Sequence, residues 1–239
     1  DGIPVVGVCE NAFFNDKEIT SIKLSNNLER IENGAFWGAS NLKTITFSDS
    51  GKGLKKIGSL AFKDCSSLES IDLSNAEITE IPVRAFENCT SLKSIKLPST
   101  VTKIADNAFA GCSNLEEIEG LEQCKISELS ATAFDGCVRL KDINLSNATI
   151  ATIPDQIFSG MRGLISATVP KTVTSIGTEA FYACKNLEMI NGLSDCDITK
   201  IGEKAFYNCW SLKEADLSGS SLTVLPASAF KGDTALLSV

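Results

Sequence analysis

The groups in this 239-residue sequence that could do chemistry are nine cysteines and thirty aspartates and glutamates; histidine is absent. Without histidine there is no ordinary general base near neutral pH, no imidazole metal ligand and no His-dependent triad. Six cysteines recur three residues after a phenylalanine: Cys65, Cys89, Cys112, Cys137, Cys184 and Cys209. The setting is visible in "KIADNAFAGCSNLEEI" (103–118) and again in "SIGTEAFYACKNLEMI" (175–190). Thiols repeated in this way could be metal ligands, a disulfide framework or reactive nucleophiles. Among the carboxylates, Glu117, Glu119 and Asp142 could hold a cation or a basic ligand, or act as a glycosidase-type pair.

The elements that carry these residues decide which chemistry is open. Ten phenylalanines recur along the chain: Phe13, Phe36, Phe62, Phe86, Phe109, Phe134, Phe158, Phe181, Phe206 and Phe230. Their steps are 23, 26, 24, 23, 25, 24, 23, 25 and 24 residues, and nine of the ten follow an Ala, the exception being Ile157. Leu or Ile stands six residues after each Phe, and a further apolar residue three beyond that. A second apolar pair closes each unit, as at Ile78 and Ile81 or Val173 and Ile176. In "SLESIDL" (67–73) the alternation turns Ile71 and Leu73 inward and Ser70 and Asp72 to water, a half-buried strand. The "AF..C" segment follows a Gly-, Asp-, Asn- or Ser-rich stretch and reads as a short helical or 3-10 turn. The closing pair reads as a brief extended segment. One such coil cannot bury its apolar side alone, so the coils must stack into a parallel-stranded solenoid. Burial of each Phe contributes roughly 1.5–3 kcal/mol, which makes a Phe column the expected lock between coils. The steps also repeat in threes. "LSNAEITEIPVRAF" (73–86) returns as "LSNATIATIPDQIF" (145–158) and "LSGSSLTVLPASAF" (217–230), a larger period of about 72 residues.

The unit "AF..C..L..I.L......I..I" resembles the leucine-rich repeats of the BspA-like surface proteins. The resemblance covers Val5 to Val239 in ten units of about 24 residues. It departs from the pattern where Asp16, Ala39, Met161 and Asp233 replace the Cys. It implies an α/β, horseshoe-like leucine-rich-repeat solenoid: a parallel β-sheet on one face, short helical or 3-10 turns and extended segments on the other. It also implies an extracellular or cell-surface ligand binder, an adhesin for host matrix proteins or for other microbes. Residues 1–239 are expected to form a single repeat domain cut from a longer array, because Val5 and Val8 occupy closing-pair positions and "LLSV" ends within a strand.

Stacking changes the reading of the candidates. Equivalent residues lie roughly 5 Å apart along a solenoid, so Cys65 to Cys137 form a straight column of parallel side chains. Zinc requires ligands converging on a point, and a disulfide requires converging Cβ directions. The column is therefore expected to be buried free thiols, small apolar groups in a core, with Asp16 and Asp233 partly solvated near the ends. Cys112 with Cys124, and Cys184 with Cys196, are the pairings left open. On the exposed strand face the candidate ligand contacts are Ser70, Asp72, Ser94, Lys96, Glu117, Glu119, Asp142, Asn144, Glu214 and Asp216. Trp37, Tyr182, Tyr207 and Trp210 follow the Phe on the opposite side, as an exposed anchor surface or as cover for neighbouring Phe rings. Asn88, Asn144 and Asn147 head N-x-S/T triplets, which could carry glycans only in a eukaryotic secreted protein.

Hydrophobic residues make up 43% of the chain, which suits a packed core, and no apolar run reaches membrane-spanning length. The net charge of −8 with evenly spread Lys and Arg argues against nucleic acid. The expected function is a non-catalytic protein-binding module without a cofactor, monomeric or weakly self-associating. The alternative is a stiff spacer that presents another domain away from a cell surface.

Overall fold

The computed structural model describes residues 5–25 and 27–239; residues 1–4 and Asn26, which the sequence includes in the repeat domain, lie outside the described residues. The strands are short. First come β1 (Gly7–Val8), β2 (Ser21–Leu24), β3 (Arg30–Ile31), β4 (Thr44–Phe47), β5 (Lys56–Ile57) and β6 (Ser70–Asp72). Next are β7 (Glu80–Ile81), β8 (Ser94–Lys96), β9 (Lys103–Ile104), β10 (Glu117–Glu119), β11 (Glu128–Leu129) and β12 (Asp142–Asn144). Then follow β13 (Thr152–Ile153), β14 (Ser166–Thr168), β15 (Ser175–Ile176), β16 (Met189–Asn191) and β17 (Lys200–Ile201).

Even-numbered strands pair only with even-numbered ones and odd only with odd, always in parallel, so the chain winds as stacked coils with two strand faces. Register joins equivalent residues: Ile71 to Ile95 and Ile95 to Ile118 on one face, Ile81 to Ile104 on the other. The alternation acts as expected. Ser70 is exposed, Asp72 half-buried, and Ile71 and Leu73 are buried. One sheet runs β2-β4-β6-β8-β10 and a separate one β12-β14-β16.

The "AF..C" segments are not helical. The 3-10 pieces lie elsewhere, after the even strands at Ser48–Gly51, Leu121–Gln123 and Leu193–Asp195. What prevents a helix is handedness. The residues two before and two after each Phe have positive φ, as at Asn11 and Asn15, Leu60 and Asp64, or Asn107 and Gly111; Thr132 is the exception. Alternation of right- and left-handed residues points every second N–H group the same way, out of the coil, while those between bond within it. Thus Arg84, Phe86 and Asn88 donate to the carbonyls of Asp106, Ala108 and Ala110 in the next coil, at 2.9, 2.8 and 2.7 Å.

Inside the coils the Phe rings form the expected column, with centroids 4.9–6.4 Å apart and eight of nine contacts stacked. Beside it runs the thiol column. All nine cysteines are free, and among them Cys9 alone is exposed. The thiols do more than fill space. Each of the six repeated Sγ atoms donates to the Phe carbonyl of the preceding coil: Cys65 to Phe36, Cys89 to Phe62, Cys112 to Phe86, and so on, at 3.0–3.2 Å. Cys124 and Cys196 turn instead to the carbonyls of Pro98 and Pro170, at 3.4 and 3.3 Å. Cys112 and Cys124 thus serve different carbonyls, as do Cys184 and Cys196. Of the two aspartates in the column, Asp16 accepts from the N–H groups of Glu18 and Ile19. Asp233 is half-buried: Oδ1 accepts from the Cys209 N–H at 2.8 Å, while Oδ2 is buried without a partner among the described residues. Burial lifts its pKa to about 7.

Two outcomes follow from this backbone and this column. Gly111 has φ of +75°, and a Cβ there would stand 2.4 Å from Asn88 Oδ1. Gly111→Ala should lower the unfolding free energy by about 1–2 kcal/mol, read from urea denaturation. Burial pushes the Cys65, Cys112 and Cys184 thiols up to about 12. A folded pKa above the ordinary 9.0 means the linked stability is complete below pH 9.0 and is lost as pH rises toward 12. A thiol reagent at neutral pH should therefore titrate Cys9 rapidly and the other eight only in denaturant, while the melting temperature falls progressively above pH 9.0.

Candidate binding surface

The even-strand face brings most of the candidate residues into two rows. Ser70, Ser94 and Glu117 are in register across β6, β8 and β10, and Asp72, Lys96 and Glu119 form the parallel row. Asp142 and Asn144 begin the second sheet on β12, which no ladder joins to β10. Glu214 lies outside the named strands, in a lone parallel bridge to Ser238, and Asp216 follows it. The face therefore does not bring all ten residues into one continuous site.

Its charges are largely compensated. Lys96 Nζ sits 2.6 Å from Glu119 Oε2, and this hydrogen bond and charge hold the ammonium pKa above its usual range. Burial acts to raise the Asp72 pKa, but the N–H and hydroxyl of Ser74, the hydroxyl of Ser50 and the Lys96 charge outweigh it and lower the value. Asp142 accepts from the Ser166 hydroxyl. The hydroxyl and N–H of Ser218 lower the pKa of Asp216. Flanking the rows, Lys141 pairs with Glu116 and Lys213 with Glu188.

Where the sheet divides, an open cleft of about 680 Å³ lies between β10 and β12, lined by Glu117, Glu119, Glu122, Gln123, Asp142 and Asn144. The 3-10 turn Leu121–Gln123 forms one wall. A smaller hollow, about 280 Å³, repeats this arrangement one 72-residue period later, between Met189, Asn191, Glu214 and Asp216. The period that records duplication in the sequence thus has a geometric product. On the odd-strand face a hollow of about 670 Å³ surrounds Lys103, which is closed by its own ion pairs to Glu80 and Glu128 at 3.9 and 3.3 Å.

The third outward surface is the turn edge, where the residues one and four after each Phe face out. Trp37 donates from Nε1 to Asp64 Oδ2 at 3.0 Å and packs edge-on against Phe14. Tyr182 and Tyr207 stack with centroids 5.3 Å apart, and the Lys185 ammonium lies 4.0 Å above the Trp210 ring. The aromatic residues therefore cover one another and leave part of their surface out; Trp210 remains 46% exposed. Sequence reasoning found these four aromatics and missed Arg162 and Lys185 beside them. The signal was available, because both stand at the same repeat position as Trp210.

The model of the BspA type leucine rich repeat region matches residues 7–137 and 127–239, in six copies. Among solved structures the chain is similar to a leucine rich cell surface protein from Faecalibacterium prausnitzii, 24% identical, with 98% of this chain and 82% of that one covered and a TM-score of 0.53. It is also similar to a leucine-rich repeat protein from Bacteroides ovatus, again 24% identical, covering 95% and 80%, with a TM-score of 0.44. No curated protein matches it.

The Asp72 network yields a test of the strand face. Ser74→Ala removes the hydroxyl that donates to Asp72 Oδ1 at 2.7 Å and leaves the backbone bond at 3.0 Å. The Asp72 pKa should move upward toward its ordinary 3.8, seen in a carbon-detected NMR titration of the side-chain carboxyl. Because the native value is lowered, the stability lost by the variant should be present above pH 3.8 and vanish as pH falls through the folded pKa.

Proposed function

This chain belongs to the BspA-type leucine-rich repeat family, and from that premise we propose that it is a non-catalytic protein-binding module of a cell-surface or secreted protein. One observation carries the reading. The coil interior is occupied throughout by Phe, Cys, Leu and Ile columns, while the outward positions on the strand faces and turn edge change from coil to coil. A scaffold of this kind can vary its surface without disturbing its packing, which is the property a recognition surface needs. Most strand-face carboxylates engage Lys, Ser or backbone groups within the scaffold, so they add to its surface without forming a catalytic pair. Placement outside the cell, and a partner among matrix proteins or microbial surface proteins, rest on the family.

The spacer alternative draws on the Phe column, whose near-constant ring spacing favours a stiff body. The two readings separate on binding. The immobilised chain should capture at least one extracellular-matrix or microbial surface protein saturably, in surface plasmon resonance, with affinity that weakens as salt rises. Absence of any saturable partner, together with a glycoside hydrolase activity abolished by Glu117→Gln or Glu119→Gln, would overturn the binding-module reading.

A further inference from the structure

Across the four turns centred on Phe158, Phe181, Phe206 and Phe230, the positions one and four after the Phe are Ser159, Arg162, Tyr182, Lys185, Tyr207, Trp210, Lys231 and Thr234. Three are cations, three are aromatic and none is acidic, in a chain with thirty acidic residues and a net charge of −8. From each Phe to the residue four after it, the single carboxylate is Asp233, directed onto the Cys209 N–H. Asp155, Glu179 and Glu203 precede the Phe in these turns, and Glu179 is already held by Gln156 and Lys204. The four turns before them are unlike this. Their equivalent positions hold Lys63, Ser66, Glu87, Thr90, Ala110, Ser113, Asp135 and Val138, with no aromatic residue. Lys63 there is tied to Glu87. By contrast, among the described residues Arg162, Lys185 and Lys231 make no ion pair, a property shared with scattered cations such as Lys93 and Lys200, whereas Lys96, Lys103, Lys141, Lys204 and Lys213 are paired. Among the described residues, only along this edge do three unpaired cations interleave with three aromatic residues.

We propose that this turn edge, from Arg162 to Lys231, is the docking surface of the module and that its occupant is an acidic segment of a partner protein. The proposal rests on the binding-module reading and names the face and the partner's chemistry. Trp, Tyr and Arg are the residue types enriched where interfaces concentrate their energy. Unpaired cations at the rim steer an oppositely charged partner and suppress like-charged ones. The charge beside the rings favours an acidic peptide over a neutral sugar. Tyr182 and Tyr207 each cover one face of the other, and Lys185 lies over one face of Trp210. The two phenol hydroxyls are neither buried nor engaged by a protein acceptor among the described residues. Edges and hydroxyls present donors, together with the Arg162 guanidinium, to carboxylates along an extended acidic chain.

The test uses the whole chain with three labelled polymers, poly-L-glutamate, poly-L-lysine and hyaluronate, read by fluorescence anisotropy at low and physiological salt. Poly-L-glutamate should bind despite the negative net charge and weaken with salt. The double variant Arg162→Ser with Lys185→Ser should lose affinity by about tenfold or more, and Arg162→Lys should recover most of the loss. Tyr182→Phe with Tyr207→Phe, which keeps the stacked rings and removes the hydroxyls, should weaken binding severalfold. Arg162→Glu provides a second charge change should the double variant unfold in a thermal melt. Equal binding of poly-L-glutamate by wild type, by the Arg162→Ser, Lys185→Ser double variant and by Arg162→Glu would overturn the proposal, as would preference for hyaluronate or poly-L-lysine. A protein partner whose capture depends on Glu117 and Glu119 but not on Arg162 or Lys185 would overturn this inference and leave the binding-module reading standing. Failure to capture any protein partner would instead bring down that reading.

Discussion

The hydrogen-bond ladder of the turns sets the geometry on which everything else depends. In most turns, left-handed residues on both sides of the Phe direct three alternate N–H groups to the next coil, as Asn11, Phe13 and Asn15 do to Asn33, Ala35 and Trp37. These bonds fix the axial step, and the step brings each ring into stacking range of the next. The Phe carbonyl accepts the N–H of its own coil's Cys and, from the following coil, the thiol, so the thiol column runs in the opposite sense to the backbone bonds. Left-handed backbone in residues other than glycine costs about 1–2 kcal/mol each, which explains why Asn, Asp and Gly dominate the position two after the Phe.

The ladder weakens in one place, and several irregularities meet there. Between Phe134 and Phe158 the rings separate to 6.4 Å and tilt by 23°. Thr132 lacks the left-handed conformation, and Ile157 replaces the Ala found before every other Phe. A branched side chain adds bulk where Ala lets adjacent turns approach. Around the same coil β10 does not pair with β12, nor β11 with β13. The cleft on the even-strand face opens at this seam.

Much of the fold was legible because its signals are periodic. Inward positions such as Ile71, Leu73 and Phe86 repeat, and repetition with alternation is enough to place them. The handedness of the turns was not legible by that route, since a 3-10 turn and an alternating turn bury the same Phe and Cys. The residue types did hold the answer: Asn15, Gly38, Asp64, Asn88 and Gly111 are those that tolerate positive φ. The direction of the thiol bonds could not be read either, because a column of buried cysteines looks the same whether or not its sulfurs donate. At the candidate strip the rows were legible from the repeat. The break between Glu119 and Asp142 was not, because the apolar repeat runs unchanged through β10 and β12 and only the ladder between them is missing.

Charge compensation separates the outward surfaces more sharply than charge itself. On the strand faces, Lys96 and Lys103 stand in register with Glu119, Glu80 and Glu128 of neighbouring coils, so these cations and carboxylates meet across the roughly 5 Å step and satisfy one another. A partner for those surfaces must first displace a pairing that is already made, and exposed pairs gain little from the exchange. At the turn edge after Phe158 the same stacking places like with like: aromatic over aromatic, and Lys185 over a ring rather than a carboxylate. Stacking in a solenoid imposes neighbours on every outward side chain. Where the imposed neighbour carries no opposite charge, the cation keeps its full capacity for an external one, and recognition there need not compete with the bonds that hold the coils together.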